Sequence, residues 1–564
     1  MDTITLASLA GLLRARGLLE RTANLTPAAG ATPVSGCDCD SRVVRAEHVF
    51  VCKGAAFRAT YLAQAVGAGA VAYLCDATRA PELALAAPGV PALVASDLRL
   101  AMAVASAEAF GHPDRDLAVV GITGTKGKST VSYMLRAVLD DVASARAGGP
   151  VPAAAPATGV IGSIDTFDGV ESFESHNTTP EAPDLWRHLA HMRDAGLAYV
   201  DMEVSSQGLK YDRVRGLVLD VACFLNIGRD HISPVEHPDF DDYFESKLRI
   251  FDQARTAVVN LDSDHAGVIL ARAARCERLV TFSASGAGGP GDGTGAENKG
   301  AAGADGVSEA TAGPGNKPAA AGRRADVWAS DVRTAFGSVR FRAHTPRWEG
   351  EVALGMPGLF NVDNALATIA IACALGLDAP ELAPVVARAL ARARVPGRME
   401  LLPTRSGKVT ALVDYAHNKL SYQRLFPSLR EEFPGYDIIA LFGAPGCKAQ
   451  ERRRELPEEA ARWSDLLIYT EEDPANEPVE QICAQMAAAT PAGTPYEVIC
   501  DREEAVRRAV EVAYAGERPA LVALLAKGDE TRQHEGNDFV PCRPDGVIFA
   551  EAVAAHGDEV VPVP

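Results

Sequence analysis

The stretch Gly121-Ile122-Thr123-Gly124-Thr125-Lys126-Gly127-Lys128-Ser129-Thr130 constrains this chain more than any other. It follows an apolar run, Leu117-Ala118-Val119-Val120-Gly121, that reads as a strand, and it opens a helical pattern from Val131 to Asp140. A strand, a glycine-rich loop and a helix in that order leave backbone N–H groups free to close around phosphate oxygens at a helix N-terminus, where the dipole also favours anions. Lys128 would reach the β- and γ-phosphates, and the Ser129 hydroxyl would sit on Mg2+. Gly124, Thr125, Gly127 and Thr130 complete the expected nucleotide-binding set. One departure stands out: the general phosphate-loop pattern wants Gly five residues before Gly127, and that position is Ile122.

The rest of the chain suits such a loop. Apolar runs at Ala198 to Val204, Leu219 to Asn226, Thr256 to Leu261 and Leu279 to Ser283 alternate with helical patterns. A second series runs through Val409 to Tyr415, Asp437 to Phe442, Asp465 to Tyr469, Glu497 to Cys500 and Ala520 to Ala526, with amphipathic helices such as Glu451 to Trp463 and Arg502 to Ala513 between. This alternation predicts an α/β protein with parallel, doubly wound sheets. At 564 residues the chain is too long for one core. Three domains are expected: 1–112, a smaller α/β unit with strands near Glu47 to Cys52 and Val71 to Cys75; 113–397, carrying the phosphate loop; and 398–564, a Rossmann-like sheet. Between Gly286 and Arg324 lie 12 Gly and 10 Ala with a single large aliphatic, Val307. That composition cannot offset its ordering entropy by burial, so a disordered insertion is expected there.

Composition excludes several functions. A net charge of −19 argues against a general nucleic-acid or anionic-membrane binder. The start, MDTITLASLAGLLRARGLLE, lacks a basic n-region and reads as an amphipathic helix, and nowhere do 18 uncharged apolar residues run together. The 11 cysteines are scattered without a CxxC pair, as small buried hydrophobes in a reducing compartment would be. A cytoplasmic protein without membrane insertion is expected.

Other residues carry chemistry at the predicted strand ends. Glu203, in Asp201-Met202-Glu203-Val204-Ser205-Ser206, is suited to hold Mg2+ directly or through water. His231, closing Asn226-Ile227-Gly228-Arg229-Asp230-His231, is placed to ligate or orient a second cation. Asn177-Thr178-Thr179-Pro180-Glu181 is a polar loop before a helix, readable as an anion or sugar contact or as an N-cap built on Thr179. Lys247, by residue pattern alone, reads as solvated helix surface.

The spacing of Gly121, Gly124 and Gly127-Lys128-Ser129 resembles that of the Mur ligases, most like the type that adds the third residue to UDP-N-acetylmuramoyl-L-Ala-D-Glu, and the similarity runs over nearly the whole chain. The resemblance implies an ATP- and Mg2+-dependent amide ligase in which Lys128, Glu203, His231 and Lys247 are catalytic. Ser129, Glu203, His231 and a carbamylated Lys247 would be the metal ligands. It further implies that Thr178 and Thr179 meet the muramoyl peptide and that Ser205 and Arg213 grip its D-Glu end. Asp40-Ser41-Arg42 resembles the uridine-binding unit, with Ser41 on the substrate. In Gly358-Leu359-Phe360-Asn361, Val395-Pro396-Gly397-Arg398 and Asp414-Tyr415-Ala416-His417, the resemblance puts Asn361 near adenine, Arg398 across a hinge on the nucleotide and Asp414 on the ribose.

The match loosens where the incoming amino acid would be chosen. Glu472-Asp473-Pro474-Ala475 stands for the D-N-P-R of diaminopimelate-adding enzymes, and Ala526-Lys527-Gly528-Asp529-Glu530 for G-K-G-H-E. Ala475 removes a guanidinium that would pair with the distal carboxylate of diaminopimelate, while Asp473 and Glu530 suit a cationic side chain. The expected reaction joins L-lysine or another diamino acid to the UDP-linked dipeptide in peptidoglycan precursor synthesis, with the protein acting as a monomer. The alternatives are a paralogous or folylpolyglutamate-synthase-like ligase with another acceptor or amine, and a catalytically silent nucleotide-binding scaffold.

Overall fold

The computed structural model describes residues 4–175, 177–230, 232, 236–285, 324–536 and 538–563. His231 and all of the Gly/Ala-rich insertion except Arg324 lie outside the described residues.

Among the described residues the central sheet has eleven strands. Seven run parallel, in the order Val327–Ala335, Arg278–Ser283, Ala254–Asn260, Leu219–Phe224, Ala118–Thr123, Tyr199–Glu203 and Thr158–Ile161. The expected strands are therefore present, and the phosphate-loop strand sits in the middle. It extends to Thr123, two residues past its expected end, and the following helix starts at Lys128 rather than Val131. This leaves a tight loop of Gly124 to Gly127. Both flanks of the sheet carry antiparallel strands that periodicity did not mark, Asp165–Phe167 and Ser172–Glu174 on one side and Ser338–His344 and Glu349–Leu354 on the other.

The helix Lys128–Arg146 buries Val131, Met134, Leu135, Val138, Leu139 and Val142, a 3-1-3-1-3 spacing that makes one apolar face. Each such side chain contributes about 1.5–3 kcal/mol relative to exposure. That face packs in one core with the helix Asn361–Ala374, which is buried almost all round, and with Ala383–Arg392. The phosphate loop is thus pinned on both sides by apolar packing. Gly121 has a similar origin: a Cβ there would lie 2.8 Å from Leu219 Cδ1 on the neighbouring strand.

A second sheet, near the N-terminus, is ordered Leu19–Ala23, Ala92–Ala95, Ala72–Asp76, His48–Val51, Gly36–Asp38, parallel except for its first strand. The third is ordered Glu400–Pro403, Val409–Asp414, Ala520–Leu525, Asp437–Phe442, Leu466–Tyr469, Tyr496–Val498, again parallel but for the first strand. A small hairpin, Arg532–Glu535 with Asp538–Pro541, follows it. The expected amphipathic start is the helix Leu6–Ala15. No helix among the described residues is long and apolar enough to cross a membrane, and all eleven cysteines are unpaired.

Candidate active site

The loop between Thr123 and Lys128 is held open by its neighbours. Asn226 clamps it twice, accepting from Lys126 N at 2.9 Å through Oδ1 and donating to Lys126 O at 3.0 Å through Nδ2. Thr125 N donates to Asn226 O. Gly127 has φ +89°, and a Cβ there would meet Asn364 Oδ1 at 2.5 Å, so only glycine fits. Lys128 begins the helix, and its Nζ donates to Gly124 O at 3.1 Å. Lys247 Nζ donates to the same carbonyl at 2.9 Å.

Lys247 is not the solvated surface residue its helical pattern predicts. The helix Phe240–Leu248 turns it inward until it is 2% exposed, and burial, followed by repulsion from Lys128, pushes its ammonium well below the ordinary lysine range. Burial therefore favours the free, nucleophilic amine over the ammonium. Lys126, half-buried, is also lowered by desolvation and pairs with Asp230 at 3.2 Å.

Ser129 Oγ lies 3.0 Å from Ser163 Oγ, and Ser163 donates to Glu203 Oε1 through both its N and its Oγ at 3.0 Å. Glu203 Oε2 is buried with no hydrogen-bond partner among the described residues. An orphaned carboxylate oxygen beside the hydroxyl of a phosphate loop is the donor set a hard divalent cation takes, so the residues present fit Mg2+. Ser163 escaped the sequence reading, because a lone Ser after a strand carries no pattern. Behind Glu203, Asp201 accepts from Ser132 Oγ at 2.6 Å, and burial pushes its carboxyl up to about 7.

The loop before the helix Ala182–Asp194 corrects one reading. Thr179 does not cap that helix; its N-cap is Glu181, without a side-chain cap bond. Thr179 is fully buried, with Oγ1 3.0 Å from Glu203 O and accepting from Ser205 N at 2.9 Å. Ser205 itself caps Ser206–Lys210, accepting from Gly208 N. Arg213 Nη1 donates to Thr179 O at 2.9 Å and Nε lies 3.2 Å from Glu181, which in turn pairs with Lys53 at 2.9 Å. Thr179, Ser205 and Arg213 thus form one network that reaches the N-terminal sheet. Ser41 stands apart there, donating to Gln64 Oε1 at 3.1 Å.

A cleft of about 1250 Å3 joins the remaining residues. Thr125, Gly127, Lys128, Ser129, Thr130, Thr178, Glu203, Asn361, Arg398, Asp414, Asp473 and Glu530 all line it, whereas Ser41, Gly124, Thr179, Ser205, Arg213 and Lys247 do not. Asn361 donates to Pro357 O at 2.6 Å and accepts from Asn364 at 2.8 Å. The Arg398 guanidinium lies 4.1 Å from the centre of the Tyr415 ring. Asp414 accepts from Met399 N and Ala416 N, both at 2.8 Å, and burial raises its pKa. Contacts missed by sequence close the cleft: Gly358 N to Glu432, Leu359 N to Ser428, and Arg532 to Glu174.

At the far end, Lys527 is 3% exposed and sits between Asp473, at 3.2 Å, and Glu530, at 2.9 Å. The two carboxylates hold its pKa above the ordinary value in spite of burial. Glu472 beside them is pushed up to about 7 by burial and by Asp473, and its Oε2 has no hydrogen-bond partner among the described residues. Ala475 has φ +50° and is locked by Ala475 N to His534 O.

Comparison with known proteins agrees with this geometry. Residues 122–372 match the Mur ligase middle domain and residues 397–528 the Mur ligase glutamate ligase domain. The UDP-N-acetylmuramyl-tripeptide synthetase of Bifidobacterium longum is 34% identical, over 96% of this chain and 100% of its own. The UDP-N-acetylmuramoyl-L-alanyl-D-glutamate–L-lysine ligase of Enterococcus faecalis is 31% identical over 90% and 89%. Among solved structures, a UDP-N-acetylmuramoyl-L-alanyl-D-glutamate–2,6-diaminopimelate ligase shares the fold with a TM-score of 0.58 at 23% identity, covering 93% of this chain and 96% of that one. The chain belongs to the Mur ligase family.

Proposed function

We propose that this chain joins a diamino acid, L-lysine first among them, to UDP-N-acetylmuramoyl-L-Ala-D-Glu at the expense of ATP, in peptidoglycan precursor synthesis. The observation that carries the reading is one cleft lined both by the phosphate loop and by Asp473 and Glu530, the two carboxylates that hold Lys527. Full-length similarity to tripeptide synthetases favours it over a folylpolyglutamate-synthase-like enzyme, and the complete loop favours it over a silent scaffold. The unpaired cysteines support a cytoplasmic location. Domain boundaries after 112 and 397 suit the three sheets.

The chemistry is two transfers. The D-Glu γ-carboxylate attacks the γ-phosphorus of ATP, ADP leaves, and an acyl phosphate forms. The amine then attacks the carbonyl, releasing phosphate and a proton as the amide forms. Lys128 and the loop N–H groups hold the phosphates and offset their charge. The Thr179–Ser205–Arg213 network orients the acceptor, and Asn361, Arg398 and Asp414 hold the nucleoside and close the cleft against water. Ser129, Glu203 and a carbamylated Lys247 would hold Mg2+; His231 would join them. Bound there, Mg2+ would neutralise charge on the transferred phosphoryl group.

Selection of the amine follows from charge. Asp473 and Glu530 against Lys527 leave one net negative charge, which favours the side-chain cation of L-lysine or ornithine and opposes a second carboxylate. Phosphate release from ATP and the UDP-dipeptide is expected to depend on L-lysine or ornithine, with kcat/KM for meso-diaminopimelate lower by at least about 100-fold. Equal release with diaminopimelate, or none with any amine, would overturn this selection.

Lys247, whose burial favours the free amine, is also placed to add CO2, forming an N–C bond and losing a proton to give a carbamate. Stripping CO2 from the buffer is expected to lower the ligase rate about 10- to 100-fold, restored by bicarbonate. A wild-type rate indifferent to bicarbonate would show that the amine stays unmodified.

A further inference from the structure

We infer that Asp168, Glu171, His188 and His191 form a structural site for a zinc-like divalent transition-metal ion, separate from the phosphate loop. Asp168 closes the turn between the strands Asp165–Phe167 and Ser172–Glu174: its Oδ1 accepts from Val170 N at 3.0 Å and Glu171 N at 2.7 Å. That fixes the carboxylate and aims Oδ2 at the helix Ala182–Asp194. There His188 and His191, three apart on one face, both present Nδ1 to it, at 2.7 and 2.8 Å. One ligand atom from each of the four residues lies within 4.8 Å of all the others. A tetrahedral zinc with bonds near 2.0–2.1 Å wants such atoms about 3.3 Å apart, which small side-chain rotations reach.

The surroundings suit an ion. The turn is docked tightly, since a Cβ on Gly169 would meet Ala195 Cβ at 2.6 Å. Asp168 is fully buried and His188 is 3% exposed, while Glu171 and His191 line a cavity of about 770 Å3 that gives the ion a route in. Arg187 takes one Glu171 oxygen at 3.2 Å, leaving the other for the metal, and Arg193 lines the same cavity. With its ring proton on Nε2, each imidazole presents Nδ1 as a ligand. Two imidazoles in the set select zinc-like ions over Mg2+. Four protein ligands leave no open position, so the ion would brace the hairpin whose other end, Ser172 to Glu174, lines the cleft.

The test uses the untagged full chain, stripped with chelator and dialysed against Zn2+ or Co2+ without nucleotide. One Zn2+ per chain after gel filtration, and a tetrahedral Co2+ absorption spectrum, are expected. His188→Gln and His191→Gln should each weaken Zn2+ binding at least about 10-fold, whereas Glu203→Gln retains it. Where the buried His188 variant fails to fold, H191Q decides, because its side chain is one-fifth exposed. Substoichiometric zinc in the wild type, or zinc held equally by H191Q, would overturn the site.

Discussion

Replacing Lys128 by alanine is expected to reduce amine-dependent phosphate release by at least about 10³-fold while leaving the fold intact. The magnitude follows from its position. Lys128 is the first residue of a helix whose N-terminus faces the cleft, and its side chain stays outside the apolar stripe that anchors that helix. Its Nζ shares the Gly124 carbonyl with Lys247, yet the two amines differ in character. Lys247 is buried and shifted toward neutrality, so it cannot replace the lost positive charge. Arginine at 128 should not rescue, because a planar fork does not fit a loop shaped around a point charge. The measurement is single-turnover phosphate release, with the thermal midpoint as a check on folding. A loss under about tenfold would mean that the loop N–H groups carry the phosphates without Lys128.

Much of this was legible in the sequence because two periodic signals agreed. Buried parallel strands read as apolar runs, and the 3-4 spacing from Val131 onward reads as a helix, so the central sheet, the third sheet and the loop between strand and helix were placed closely. Most of the strands missed lie toward sheet edges and pair antiparallel. Asp165–Phe167 and Ser172–Glu174 together hold Phe167 and Phe173 as their large apolar residues, so alternation had nothing to show. Site residues divided in the same way. Those inside a contiguous motif, such as Lys128, Ser129 and Asp414, line the cleft where expected. Of the two readings of the Thr179 loop, the cap fails because the pattern of a capping residue is local, whereas its hydroxyl turns to Glu203 O, 24 positions away in the chain. Lys247 looked solvated because charge on a helix usually faces water. Its burial follows from tertiary packing against the loop, which no local spacing encodes. Ser163, Glu432 and Lys527 act through partners 40, 74 and 54 positions distant.

The hinge offers the sharpest test of whether one cleft couples both transfers. Gly397 has φ +61°, and a Cβ there would lie 2.3 Å from Asp529 N and 2.6 Å from Asp529 Oδ1. Gly528 faces it, also with positive φ, and a Cβ on Gly528 would lie 2.9 Å from Gly397 O. A methyl group at 397 must therefore push the Asp529-Glu530 backbone away, and the same displacement moves Arg398, the next residue, off Tyr415. Nucleotide clamp and amine pocket are disturbed by one atom. Gly397→Ala is expected to raise KM for the amine and lower kcat, together reducing kcat/KM about 100-fold, since misplacement by about 1 Å has that effect on a positioned reaction. The phosphate-loop contacts to ATP, built from a different sheet, should persist, so any rise in KM for ATP reports the displaced Arg398 and stays smaller than the rise for the amine. Strain alone makes a smaller contribution, and Gly407→Ala isolates it: Gly407 has φ +69° with nothing within 4 Å of a Cβ. That variant should lose about 1 kcal/mol of stability and keep its kinetics. If both variants lose activity equally, left-handed backbone strain and not the contact with Asp529 is responsible. If G397A turns over like the parent, the hinge and the amine pocket move independently, and closure of the cleft requires some other contact, with Arg532 to Glu174 the next to break.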